Sequence, residues 1–109
     1  MRVYDYDGAV LRTEADALDL IGSLFGTGTE VVAVPVDRLA PEFFDLRTGL
    51  AGAVLQKFTQ YRLVLAVVGD LTAHTAASTA LRDLVRESNK GRHVWFLPDR
   101  PALDARLSA

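Results

Sequence analysis

Three stretches of the chain are almost continuously apolar: Glu30 to Val36, Leu63 to Val68 and His93 to Leu97. Runs of this length, rich in valine and leucine, mark strands covered on both faces; Gly69-Asp70 closes the second and Pro98 the third. The segments between them repeat at the helical period instead. Ala51, Val54, Leu55, Phe58 and Tyr61 form one stripe and predict a helix from about Gly49 to Tyr61. Ala77, Ala80, Leu81, Leu84 and Val85 form another, over about Ala76 to Asn89, with Gly91 as its C-cap. Ahead of the first apolar run, Thr13-Glu14-Ala15-Asp16 has the look of a helix start, with Thr13 as N-cap and acids facing the dipole. Leu18, Ile21, Leu24 and Phe25 continue that helix up to Gly26. A final helix follows Asp99, with Pro101 in its first turn and Leu103 and Leu107 facing inward. The stretch from Arg2 to Leu11 predicts either one short strand or a hairpin turning at Asp7-Gly8.

Strands that alternate with helices need crossover connections, which are right-handed and produce a parallel sheet. The prediction is therefore a single α/β domain with a mainly parallel, four-stranded sheet. The chain has 109 residues, the size of one domain, and half of them are hydrophobic, enough for a core and too many for a disordered segment.

Composition removes several function classes. Twelve basic and fourteen acidic residues give a formal net charge of −2, with the cations scattered among acids. A nucleic-acid partner is not expected, because phosphate binding needs a concentrated basic face. The absence of cysteine removes thiol catalysis, disulfides and thiolate metal sites. Met1 to Asp7 is acidic and lacks the apolar stretch of a signal peptide, and no run suits a membrane span, so a cytoplasmic chain without membrane contact is expected. Gly26-Thr27-Gly28-Thr29 follows a helix and precedes a strand, the reverse of the order a phosphate-binding loop requires. His74 and His93 are the only imidazoles, and nothing pairs them as metal ligands. No cofactor is expected.

Ligands of parallel sheets gather beyond the carboxyl ends of the strands. Three loops qualify: Asp37 to Thr48, Gly69 to Thr75 and Pro98 to Arg100. In the first, Asp45 and Thr48 are candidate helix caps, while Phe43, Phe44 and Leu46 either fold over the core or form an exposed patch for a symmetric dimer. Thr48 is also a candidate hydroxyl at the positive end of a helix, with Arg47 beside it to pair with a phosphate. In the second, Asp70 and His74 could act as a base and its orienter, with Arg47 holding an anion. The segment Arg86-Glu87-Ser88-Asn89 is a candidate contact patch on an outer helix face.

Two resemblances add to this. The run Phe43 to Gly52, then Gln56-Lys57-Phe58, Tyr61-Arg62, Gly69-Asp70, Leu81-Arg82-Asp83 and Arg86 to Asn89 resembles the bacterial family called domain of unknown function 4180, from Asp16 to Leu107. That resemblance implies the fold and assigns no activity. The order of apolar strand, loop, Thr48-Gly49-Leu50, helix and second strand also resembles STAS domains, in which a hydroxyl residue before Gly-Leu is phosphorylated to switch partner binding. It implies Thr48 as phosphoacceptor. Together these readings lead to a non-catalytic, STAS-like protein-binding module, with a self-partner as one option, that uses the Asp45 to Gly52 surface, with Asp45, Arg47, Thr48 and Gly49 as candidate binding residues. The alternative is a small-molecule or anion binder, or modest enzyme, with a pocket near Arg47, Asp70 and His74.

Overall fold

The computed structural model describes residues 1–109. Four strands, β1 (Val3–Asp5), β2 (Val31–Pro35), β3 (Val64–Val68) and β4 (Val94–Leu97), form one sheet in the order β1-β2-β3-β4, and every pairing is parallel. The helices are α1 (Glu14–Ser23), α2 (Pro41–Phe44), α3 (Leu50–Gln60), α4 (Thr72–Ala77), α5 (Thr79–Lys90) and α6 (Arg100–Ser108). No helix is long and apolar enough to cross a membrane.

The strand order explains the layering. Each crossover steps in the same direction, so connections of one hand place α1, α3 and α5 on the same face. Side chains alternate across the strands accordingly. Val32, Val34, Leu65, Val67, Val94 and Phe96 join the larger core with Ile21, Phe58 and Leu81 from those helices. Val31, Ala33, Ala66 and Trp95 face the other way and meet Leu103 of α6. Register sets Ala33, Ala66 and Trp95 side by side, so two small residues make room for the indole and the helix above it. Arg106 holds α6 in place, stacking 4.5 Å over the Trp95 ring and donating to the carbonyls of Asn89 and Gly91. At its other end Arg100 pairs with Asp5 of β1 and with Asp104.

Three sequence expectations change. Asp7-Gly8 does not turn a hairpin. The chain runs on past β1, and Leu11 makes an isolated parallel bridge to Leu39, with Leu11 donating to Arg38 and Ala40 donating to Leu11. The helix expected from Ala76 to Asn89 is two helices, because Ser78 is extended and its hydroxyl accepts from the Leu81 N–H at 3.1 Å, capping α5. That break shifts the helical phase, and Ala77 and Ala80, expected inside, are exposed. Asn89 leaves the outer face altogether. Its side chain donates to the Phe96 carbonyl at 3.0 Å and accepts from the Phe96 N–H at 2.7 Å. The carbonyls of His93 and Leu97 accept from β3, so Phe96 presents its backbone to the open edge, and Asn89 closes it.

The start of α1 behaves as its residues predict. Thr13 accepts from the Asp16 N–H, and Asp16 accepts from Thr13 and Arg12 N–H groups at 3.1 and 2.8 Å. The Arg12 N–H, above all, holds the Asp16 carboxyl below its ordinary range. A carboxylate depressed in the folded chain stabilises it fully above the unfolded pKa, and this contribution is lost as pH falls through the folded value. Thr13→Ala is expected to cost about 1 kcal/mol in urea unfolding. Asp16→Asn should flatten the fall of Tm with pH below about 4, the unfolded carboxylate value. An unchanged slope would show that the capping box carries none of the acid sensitivity.

Candidate functional site

The carboxyl end of the sheet is built over by the segment from Pro35 to Gly49. After β2 a 3-10 turn (Val36–Arg38) leads to α2, and a second 3-10 turn (Leu46–Thr48) leads to α3. Phe43 and Phe44 anchor this segment. Both are buried, in edge-to-face contact at 5.2 Å, and Leu46 packs against the core beside them. The exposed Phe43-Phe44-Leu46 patch expected to seat a second copy therefore does not exist. Hydrophobic burial uses those side chains inside the molecule. Gly69 lets β3 end tight against this segment, since a Cβ there would lie 2.9 Å from the Val36 side chain.

Asp45 caps the second 3-10 turn, accepting from the Arg47 N–H at 3.2 Å. Its carboxylate also takes the Arg47 guanidinium in a bidentate pair, with both contacts at 2.9 Å. The guanidinium holds the Asp45 carboxyl below its ordinary range, and Asp45 raises Arg47 in turn. The Arg47 side chain is 90% exposed, so the pair shapes the surface and adds little stability.

Thr48 is exposed as a residue, yet its hydroxyl points into the turn. It donates its proton between the carbonyls of Glu42 and Asp45, at 2.7 and 2.8 Å, and accepts from the Leu50 N–H at 3.2 Å. It braces the loop and is not a free hydroxyl awaiting a ligand. Gly49, at φ 78°, occupies the N-cap position of α3 in the left-handed region, which accounts for a glycine after Thr48.

The second loop divides. His74, on α4, lays its imidazole flat on Phe44, with centroids 4.1 Å apart and planes at 17°. Asp70 stays within its own turn, accepting from the Thr72 N–H and hydroxyl, and the hydroxyl is the main cause of its depressed carboxyl pKa. It lines a separate notch against Pro98. Asp70 and His74 share no hydrogen bond, and Arg47 is paired with Asp45. Of the three residues expected in one pocket, Arg47 and His74 share a groove and Asp70 lies outside it.

What the fold does bring together is a groove of about 570 Å3 between the Asp45–Arg47 turn and α4. Leu46, Ala73, Ala77 and Ala80 line its apolar part, and Asp45, Arg47, His74 and Ser78 stand on its polar part. Sequence reasoning missed the alanines. The signal was Ser78, whose capping ability breaks the helix and turns Ala77 and Ala80 outward.

No curated protein and no solved structure matches the chain. A family model described as a domain of unknown function (DUF4180) matches residues 1–107. The match spans nearly every element of the sheet and its helices, and the chain belongs to the DUF4180 family.

Proposed function

We propose that this domain is a non-catalytic protein-binding module that uses the Asp45–Gly52 surface, its partner seated in the groove between the Asp45–Arg47 turn and α4. One observation carries the reading: the groove combines a shallow apolar lining of alanines with a polar rim whose charges are already paired. Small side chains leave room for an inserted apolar side chain, and a fixed Asp45–Arg47 pair offers both signs of charge to a partner's backbone and side chains. An anionic ligand would have to compete with Asp45 for Arg47, which disfavours the small-anion alternative.

Thr48 is the point at which this surface could be switched. Esterification of its hydroxyl would withdraw the proton that braces Glu42 and Asp45, and would set a dianion beside the Asp45 carboxylate. The support is the bracing geometry; the likeness to STAS domains adds only the Thr48-Gly49-Leu50 layout.

The test is co-purification from the native host. Ala77→Arg fills the groove from an exposed position, so it should abolish partner recovery while Tm stays within experimental error. Thr48→Glu should also reduce recovery, with a lower Tm because the brace is lost. Equal recovery with wild type and Ala77→Arg would end this reading.

A further inference from the structure

We infer that the amino end of the sheet, opposite the groove, is a docking surface for an acidic segment of another protein carrying an apolar anchor. This surface is independent of the Asp45–Arg47 groove.

The three exposed large apolar side chains of the molecule are Met1 (66%), Phe25 (67%) and Tyr61 (44%). Phe25 follows the end of α1 and Tyr61 caps the end of α3, both at the end where the strands begin, and Met1 precedes β1 there. Phe25 and Tyr61 were expected on the buried stripes of their helices. Instead their rings meet each other at 5.8 Å and flank a notch of about 250 Å3 that also includes Gly28 and Arg62. Solvent-exposed aromatic side chains in contact are suited to anchoring an interface.

Arginines outnumber acids among the residues that lead into the strands at this end. Arg2 precedes β1, Arg62 precedes β3 and Arg92 precedes β4, and none of them makes an ion pair. Arg2 reaches the notch, since a Cβ on Gly28 would come within 2.9 Å of its guanidinium. Glu30, before β2, is the acid among them, and it accepts from the Arg2 N–H.

Arg62 adds a second kind of observation. It stands at φ 59°, the one non-glycine residue in the left-handed region. Leu63 donates to the Phe58 carbonyl at 2.9 Å and Arg62 to Thr59 at 3.0 Å, the paired bonds of a helix end that normally places glycine where Arg62 is. An arginine carries strain there that glycine would relieve, and its side chain is what the strain secures.

Charge also selects the occupant. A symmetric pair of copies meeting at this end would bring two arginine-rich patches together, and like-charge juxtaposition is repulsive. Three arginines with an acid among them fall short of the clusters of roughly four to eight cations that hold a protein on an anionic bilayer. An acidic polypeptide with a leucine or phenylalanine for the notch satisfies both features.

The experiment uses the full chain and a fluorescein-labelled amphipathic peptide with glutamates on one helical face and leucines on the other. Its counterpart has lysine for every glutamate. The acidic peptide should bind at least tenfold more tightly than the lysine version, and added salt should weaken it. Phe25→Ala with Tyr61→Ala should reduce affinity about tenfold. Arg62→Gly should reduce it severalfold while raising the urea midpoint, a combination that a merely structural role would not give. Ala77→Arg should leave this binding unchanged, which separates it from the groove. The inference is overturned by absence of acidic-peptide binding, by equal binding of both peptides, or by indifference to the Phe25 and Arg62 variants. Stronger binding to phosphatidylserine vesicles, or a dimer that Phe25→Ala dissociates, would overturn it as well.

Discussion

Phe43→Ala is expected to destabilise the domain by about 3–5 kcal/mol, the range for emptying a closely packed phenylalanine site. Phe43 is entirely buried and is the inner of the two rings that fasten the Pro35–Gly49 segment to the sheet. A domain of this size has about 5–15 kcal/mol in all, so the loss would be visible as a large fall in the urea midpoint. The effect should also reach the groove. Phe44 lies against Phe43, and His74 lies on Phe44, so loosening the inner ring removes the floor under the imidazole. The ring-current shift of the His74 protons should collapse toward random-coil values. Phe43→Leu keeps most of the volume and should retain both stability and shift to a large degree. A loss below about 1 kcal/mol in Phe43→Ala would mean that the loop is held by its backbone bonds and not by the aromatic pair.

The second large effect is expected at Asn89. Removing its amide in Asn89→Ala leaves the Phe96 N–H and C=O without a partner at a half-buried sheet edge, a loss of about 2 kcal/mol. The released edge is also a template for another strand, so the variant should aggregate during refolding where the wild type does not. Hydrogen exchange at the Phe96 amide reports the local event and should accelerate well before global unfolding. Asn89→Asp keeps the acceptor for the N–H but meets the carbonyl with a carboxylate, and so should recover little. Unchanged Phe96 exchange in Asn89→Ala would show that the edge is closed by something other than this side chain.

The two residues also mark where sequence reasoning works and where it stops. The three apolar strands, the helices between them and the parallel sheet were legible because each follows from a local period: continuous apolar character for strands covered twice, and a stripe for each helix. Thr13 was legible for the same reason, since a cap acts within one turn. The site was less legible. The loop from Asp37 to Thr48 does lie over the carboxyl end of the sheet, and the pairing of Asp45 with Arg47 lies within reach of neighbours in sequence. Thr48 looked like a displayed hydroxyl because its alternative partners, the carbonyls of Glu42 and Asp45, become available only after the chain has turned twice.

What the sequence by itself determined is the fold class, the capped start of α1 at Thr13 and the absence of any thiol. Each of these depends on composition or on residues within a turn of one another. What only the tertiary structure decided is which side chains end up beside one another from distant parts of the chain. Asn89 faces Phe96, Arg106 stacks on Trp95, His74 covers Phe44, and Phe25 meets Tyr61 in the open. The physical reason is that periodicity specifies a face, whereas the object opposite that face depends on strand order and helix ends. A single capping serine at position 78 was enough to rotate two alanines out of the core and into the groove.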